Sequence, residues 1–168
     1  MSGSGASAIA MPSDRILVAE VDFGGSEGEY ANRFRKAHRE VDRRVRFDVD
    51  VTPHRFPSCG RRGKRVMRVL MFRPGNLDTD DALRDAIAGH GIRGEYLHPY
   101  ELLSLCAEYR GLGLEYPLLS SPDHVWEDPN GNRFRLLVSS IGPVRGVEMS
   151  SPADIGWSDR CRFPVALS

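Results

Sequence analysis

The 168 residues carry 23 Lys+Arg against 23 Asp+Glu, with 40% hydrophobic and 27% charged side chains, a composition that suits one soluble globular domain able to bury its own core. No apolar run approaches the roughly 18 residues that a membrane helix needs, so membrane insertion is not expected. The opening MSGSGASAIAMPS lacks a basic n-region and a sustained apolar core; residues 1–13 therefore read as a flexible tail rather than a signal peptide, and synthesis in the cytoplasm is expected.

The zero net charge hides an asymmetry. Residues 1–75 hold 15 Lys+Arg and 9 Asp+Glu, and residues 76–168 hold 8 and 14, so the halves stand at +6 and −6. A basic half can meet nucleic acid, and residues 33–65 are where it would do so; the plainer expectation is that opposite charges meet within one fold. Cys59, Cys106 and Cys161 have neither CxxC spacing nor an even count, so no zinc or disulfide framework follows.

In chain order, residues 15–23 (RILVAEVDF) read as a strand broken by Gly24-Gly25. Residues 27–44 place Tyr30, Phe34, Ala37 and Val41 at helical spacing, with Arg33, Lys36, His38, Arg39, Arg43 and Arg44 around the other faces. Residues 45–51 (VRFDVDV) alternate strictly, which predicts a half-buried strand ended by Pro53. The basic loop 59–65 (CGRRGKR) invites a phosphate-binding reading but lacks P-loop spacing, so it is taken as a solvated connector. A strand is predicted over 66–72, a helix from Asp78 through Ala82, Leu83, Ala86 and Ile87, and a second helix from Pro99 at N1 through Tyr109. Everything beyond reads as β: strands near 116–119, 124–127, 133–138, 145–149 and 162–167. Asp128-Pro129-Asn130-Gly131-Asn132 is a hairpin turn, because Pro presets φ and Asn-Gly accepts the left-handed conformation.

No enzyme signature stands out. His38, His54, His90, His98 and His124 lie in no recognisable motif, and HExxH, GxSxG, dinucleotide and EF-hand patterns are absent from the sequence. Glu127, Pro129 and Asn130, with Trp157-Ser158-Asp159 further on, echo the pieces with which calcium-dependent lectins hold a metal, yet the first piece is already explained as a turn; no cofactor or metal is assigned.

The order strand, helix, helix, then short strands with polar connections, and the close Trp157-Ser158-Asp159-Arg160-Cys161-Arg162-Phe163-Pro164-Val165-Ala166, resemble the C-type lectin fold. More narrowly, residues 64–168 resemble the variable proteins of diversity-generating retroelements, through Tyr116-Pro117-Leu118, His124-Val125-Trp126 with Asp128 and Gly131, Arg133, and Val147-Glu148-Met149. The resemblance implies an α+β, C-type-lectin-like domain at 59–168, with the strands at 66–72 and 162–167 paired; it does not account for the first sixty residues, where 14–58 read from their own pattern as an N-terminal β-α-β extension. It implies a non-enzymatic, ligand-binding protein with a changeable C-terminal surface for a macromolecular partner. Asn130, Asn132, Ser139, Ser140, Ser150, Ser151, Asp154, Ser158, Asp159 and Arg160 are its exposed set, Trp157 and Arg160 the expected anchors, and Val125, Leu137, Val147, Met149, Phe163 and Val165 its frame. The competing readings are a nucleic-acid-binding protein and a small hydrolase with an unfamiliar site.

Overall fold

The computed structural model describes residues 11–44, 49–73, 80–151 and 161–168. The elements run β1 (Met11–Asp22), α1 (Glu27–Val41), β2 (Lys64–Arg73), α2 (Asp80–Gly89), β3 (Gly94–Tyr96), α3 (Pro99–Glu108), β4 (Leu118–Leu119), β5 (Trp126–Glu127), β6 (Arg133–Ile141), β7 (Val144–Ser150) and β8 (Phe163–Leu167). They make a mixed α+β architecture with two antiparallel sheets, β1-β2-β8-β3 and a second in which β6 pairs with β4, β5 and β7. A parallel bridge between Leu118 and Arg162 ties the two together.

In β1 the side chains alternate as the pleat requires: Leu17, Ala19 and Val21 are buried while Ile16 and Val18 remain 42% and 50% exposed. The strand begins at Met11, so residues 11–13, expected in the tail, lie within it; Pro12 is tolerated because β1 is an outer strand. The side of β1 away from β2 is met at Val18 by Tyr109, whose hydroxyl accepts from the Val18 N–H (3.2 Å) and donates to the Val18 carbonyl (2.8 Å).

Ser26 starts α1, its hydroxyl accepting from the Glu29 N–H, and Glu27 and Glu29 in the first turn suit the helix dipole. The predicted stripe of Tyr30, Phe34, Ala37 and Val41 is the buried one. The helix ends at Val41 rather than at Arg44, because Asp42 turns the chain. Its N–H closes on the His38 carbonyl, and its buried carboxylate accepts from Arg44 and from the Val147 N–H, fixing β7 to the helix end. Burial pushes that carboxyl up, but these hydrogen bonds outweigh it and hold Asp42 below the usual carboxylate range.

The strand expected over 45–51 is not borne out in its described part. Val49 and Asp50 form a turn and another turn follows, closed by Phe56 N–H to Thr52 O; residues 45–48 lie outside the described residues. Alternation failed here because Pro53 and the turn chemistry around it dominate the local backbone.

β2 pairs with β8 from Val69↔Ala166 to Phe72↔Phe163, the closure expected of strands 66–72 and 162–167. Unexpected is β3, which separates the two helices and pairs with the other side of β8. Gly94 permits the approach, since a Cβ there would stand 2.4 Å from the Ala166 carbonyl oxygen. One face of this sheet buries Leu17, Val21, Met67 and Val69 against Phe34 of α1 and Leu102 and Leu105 of α3. A second cluster gathers Phe72, Tyr96, Phe163 and Val165 with Ile87 of α2 and Leu119 and Leu137 of the second sheet. Cys59, Cys106 and Cys161 form no disulfide, and burial pushes the Cys106 thiol up to about 12, an inert core thiol. Among the described residues no helix is long and apolar enough to cross a membrane.

Candidate functional site

The β5–β6 turn forms as its sequence dictates. Gly131 takes φ +83°, and Asp128 accepts from the N–H groups of Asn130 and Asn132 and from the Asn132 amide, which holds its carboxyl below the usual range. Asn130 and Asn132 are exposed at this tip. Glu127 and Asn130, the described side chains of the calcium echo, are exposed on either side of Asp128, and Trp157, Ser158 and Asp159 lie outside the described residues.

Of the other expected surface residues, the four described ones stand at the two ends of the β6–β7 hairpin. Ser139 and Ser140 sit near the β6–β7 turn, their hydroxyls donating to Glu148 (3.3 Å) and to the Leu114 carbonyl (2.9 Å). Ser150, expected outside, is only 6% exposed, because it pairs with the buried Arg135 across β6 and β7; Ser151 is half-buried. Asp154, Trp157, Ser158, Asp159 and Arg160 lie outside the described residues. Of the frame set, Leu137, Val147, Phe163 and Val165 are buried, while Val125 and Met149 are half-buried. The other tryptophan, Trp126, is packed between the Arg55 guanidinium, 4.0 Å from its ring centre, and Phe134.

The basic loop is not a solvated connector. Arg61 and Arg65 both reach the carboxylate of Glu101, at 2.9 and 3.4 Å, and that carboxylate is almost fully buried. Arg62 reaches Glu27 at 2.7 Å, and on α1 Arg33 pairs with Asp22 and Lys36 with Glu40. Of these, the Glu101 pairs join the basic half to the acidic one; the rest are made within the first half.

The same loop carries the densest chemistry among the described residues. Ser58 to Arg61 is a tight turn closed by Arg61 N–H to Ser58 O (3.1 Å), with Cys59 at φ +55° and Gly60 at φ +78°. Two positive φ values mark a type I′ turn, in which the first position normally belongs to Asn, Asp or Gly. Here it is a cysteine, the one described non-glycine residue at positive φ, and its thiol is exposed. Long-range bonds hold the turn: Ser58 Oγ donates to Glu27 (2.7 Å), Gly63 N–H donates to Gly24 O (2.9 Å), and the Tyr30 hydroxyl donates to the Phe56 carbonyl.

Against it stands a second turn, in which Ser121 N–H donates to Leu97 O and His124 N–H to Ser121 O. This brings His124 Nδ1 to 3.6 Å from Cys59 Sγ, and the His124 ring to 4.7 Å from that of His98. Cys59, His98 and His124 have donor atoms within 4.8 Å of one another. A tetrahedral zinc, with bonds of about 2.3 Å to sulfur and about 2.0 Å to nitrogen, would set a sulfur and a nitrogen about 3.5 Å apart, so the spacing suits a metal. The state of His98 does not. Its Nδ1 accepts from the Tyr100 N–H (3.0 Å) and its Nε2 must then carry the proton that meets the Pro57 carbonyl (2.8 Å). Both nitrogens are committed. Together with Glu101, whose Oε1 accepts from the His98 N–H, they form a reciprocal cap on α3. Burial lowers the His98 pKa to about 3, which keeps the ring neutral in that role.

What remains is a thiol that lies 3.5 Å from the Pro57 carbonyl oxygen, to which it can donate, and 3.6 Å from the His124 Nδ1. Burial, then the Arg61 charge, hold His124 below the ordinary imidazole range, so at neutral pH it is an unprotonated base. His124 also lines a cavity of about 440 Å³ together with Arg61, Glu95, Tyr96, Ser121, Asp123 and the apolar Ile87 and Ile92. No family model, curated protein or solved structure matches the chain. Cys59 and His124 are 65 positions apart, and Cys59 opens a loop whose sequence is dominated by its arginines.

Proposed function

We propose that the chain is a binding module of C-type-lectin-like topology whose C-terminal half presents a changeable surface to a macromolecular partner, in the manner of the variable proteins of diversity-generating retroelements. The observation that carries this reading is how the polar stretch between β7 and β8 is anchored. It leaves the second sheet at Ser150, buried opposite Arg135, and re-enters at Cys161, fully buried, and Arg162, whose N–H donates to Pro117 O (2.8 Å) and whose carbonyl accepts from Leu119 N–H (3.2 Å). A segment fastened at both ends by backbone bonds can change its side chains at little cost to the frame. The Asn130 and Asn132 turn is likewise satisfied by its own Asp128. Binding strength would come from Trp157 and Arg160 as anchors, with the small polar residues adapting around them.

The test is a display library randomised at Asn130, Asn132, Asp154, Trp157, Ser158, Asp159 and Arg160. Most clones should unfold within about 3 °C of the parent, as surface changes do, and different clones should select different protein targets. Widespread unfolding, or a library that yields no binders, overturns the reading. Its genetic counterpart is a second DNA copy of the segment encoding residues 125–168, differing mainly at adenines, beside a reverse-transcriptase gene.

A further inference from the structure

A second candidate site uses none of those residues. Cys59 occupies a backbone conformation that costs a non-glycine residue about 1–2 kcal/mol, and strain of this kind is retained where a side chain has to be held out for use. The turn that carries it is fixed by bonds to Glu27, Gly24 and Tyr30, so the thiol is presented in one place. The tip is open: a Cβ added at Gly60 would meet no atom within 4 Å. An imidazole stands 3.6 Å away, and the same residue lines a cavity. Cys106 and Cys161 are both fully buried, so neither offers Cys59 an exposed partner for dithiol chemistry.

We propose that Cys59 is a nucleophile and His124 its base, together taking acyl groups from small ester or thioester donors whose apolar parts rest on Ile87 and Ile92 in the cavity that His124 lines. In the first step His124 Nδ1 takes the thiol proton as Sγ bonds to the carbonyl carbon. The tetrahedral adduct collapses by breaking the bond to the leaving oxygen or sulfur, which departs with that proton. Water then attacks the Cys59 thioester and gives a proton to Nδ1, and the carbon–sulfur bond breaks to return the thiol. The sum is ester plus water to acid plus alcohol, or thioester plus water to acid plus thiol, and nothing is oxidised or reduced. His98 stays out of the proton path, both its nitrogens being used in holding α3 to the loop.

The full-length chain is to be treated at pH 7 with 4-nitrophenyl acetate and, separately, with iodoacetamide, using glutathione as the reference thiol. The expected results are a stoichiometric burst of 4-nitrophenolate, one acetyl group located on Cys59 by mass spectrometry, and alkylation of Cys59 at least ~10-fold faster than glutathione. His124→Gln should slow both reactions at least ~10-fold while leaving the thermal midpoint in place, and added imidazole should restore part of the rate, which a packing role for the ring would not allow. His124→Asn is the second variant should the first fail to fold. Cys59→Ser should abolish the burst. Alkylation at the glutathione rate, or a rate indifferent to His124, reduces Cys59 to an ordinary exposed thiol and overturns the proposal. So does micromolar Zn²⁺ binding that blocks alkylation and is lost in His98→Gln, which would make the three residues a metal site.

Discussion

Two turns in this molecule use left-handed backbone and have opposite supports. At 128–132 the positive φ falls on Gly131, and the bonds that hold the turn span four residues or fewer, from Asp128 to Asn130, Gly131 and Asn132. At 58–61 positive φ falls on Cys59 as well as Gly60, and the turn is held by Glu27, Gly24 and, through Pro57, by His98. The first turn would form from its own sequence in many settings. The second exists because distant parts of the chain impose it, and a local preference overruled by tertiary structure is where function is worth seeking.

The largest way to break this contrast is to remove the carboxylate behind the second turn. Glu101→Ala strands Arg61 and Arg65 and uncaps His98, and it should cost about 3–5 kcal/mol in urea unfolding. Asn130→Ala at the first turn should fall within about 0.5 kcal/mol of the parent. Comparable losses at the two positions would dissolve the distinction.

Acid provides a second test. The folded His98 value of about 3 lies below the unfolded one of about 6.5, so the neutral ring is the folded form. Its contribution is complete above pH 6.5 and is lost as pH falls from 6.5 toward 3, at about 1.4 kcal/mol per pH unit. Urea titrations at pH 7, 6, 5 and 4 should show this slope, and His98→Asn, which can still cap α3, should flatten it relative to the parent.

The smallest effect is the most discriminating in sign. Cys59→Gly relieves the left-handed strain and should raise stability by up to about 1 kcal/mol, less the chain entropy that glycine adds to the unfolded state. Gly131→Ala introduces the same strain at the other turn and should lower stability by about 1 kcal/mol. If both substitutions destabilise, Cys59 is there for the fold and not held against it.

The same division explains what could be read from the sequence. Periodicity located α1 and its stripe, β2, β6 and the pairing partner β8, because burial on one face leaves a pattern in the chain. It also promised a strand at 45–51, where Val49 and Asp50 turn instead. β3 left no pattern: three residues carry no period, and Gly94 is there for its closeness to Ala166. The asparagine turn announced itself through Asp-Pro-Asn-Gly. Cys59 and His124 could not, since neither the strain at one nor the distance between them is a property of neighbouring residues.

Tyr109 has one more consequence. Its hydroxyl fills both hydrogen-bonding positions of Val18 on the outer side of β1, next to the exposed Ile16 and Val18 side chains. An incoming strand needs that N–H and carbonyl to begin a ladder, and finds them answered from within the same chain. One phenol thereby keeps an apolar strand margin from recruiting a second molecule at its centre, a defence that Tyr109→Phe would remove without disturbing the packing of the ring.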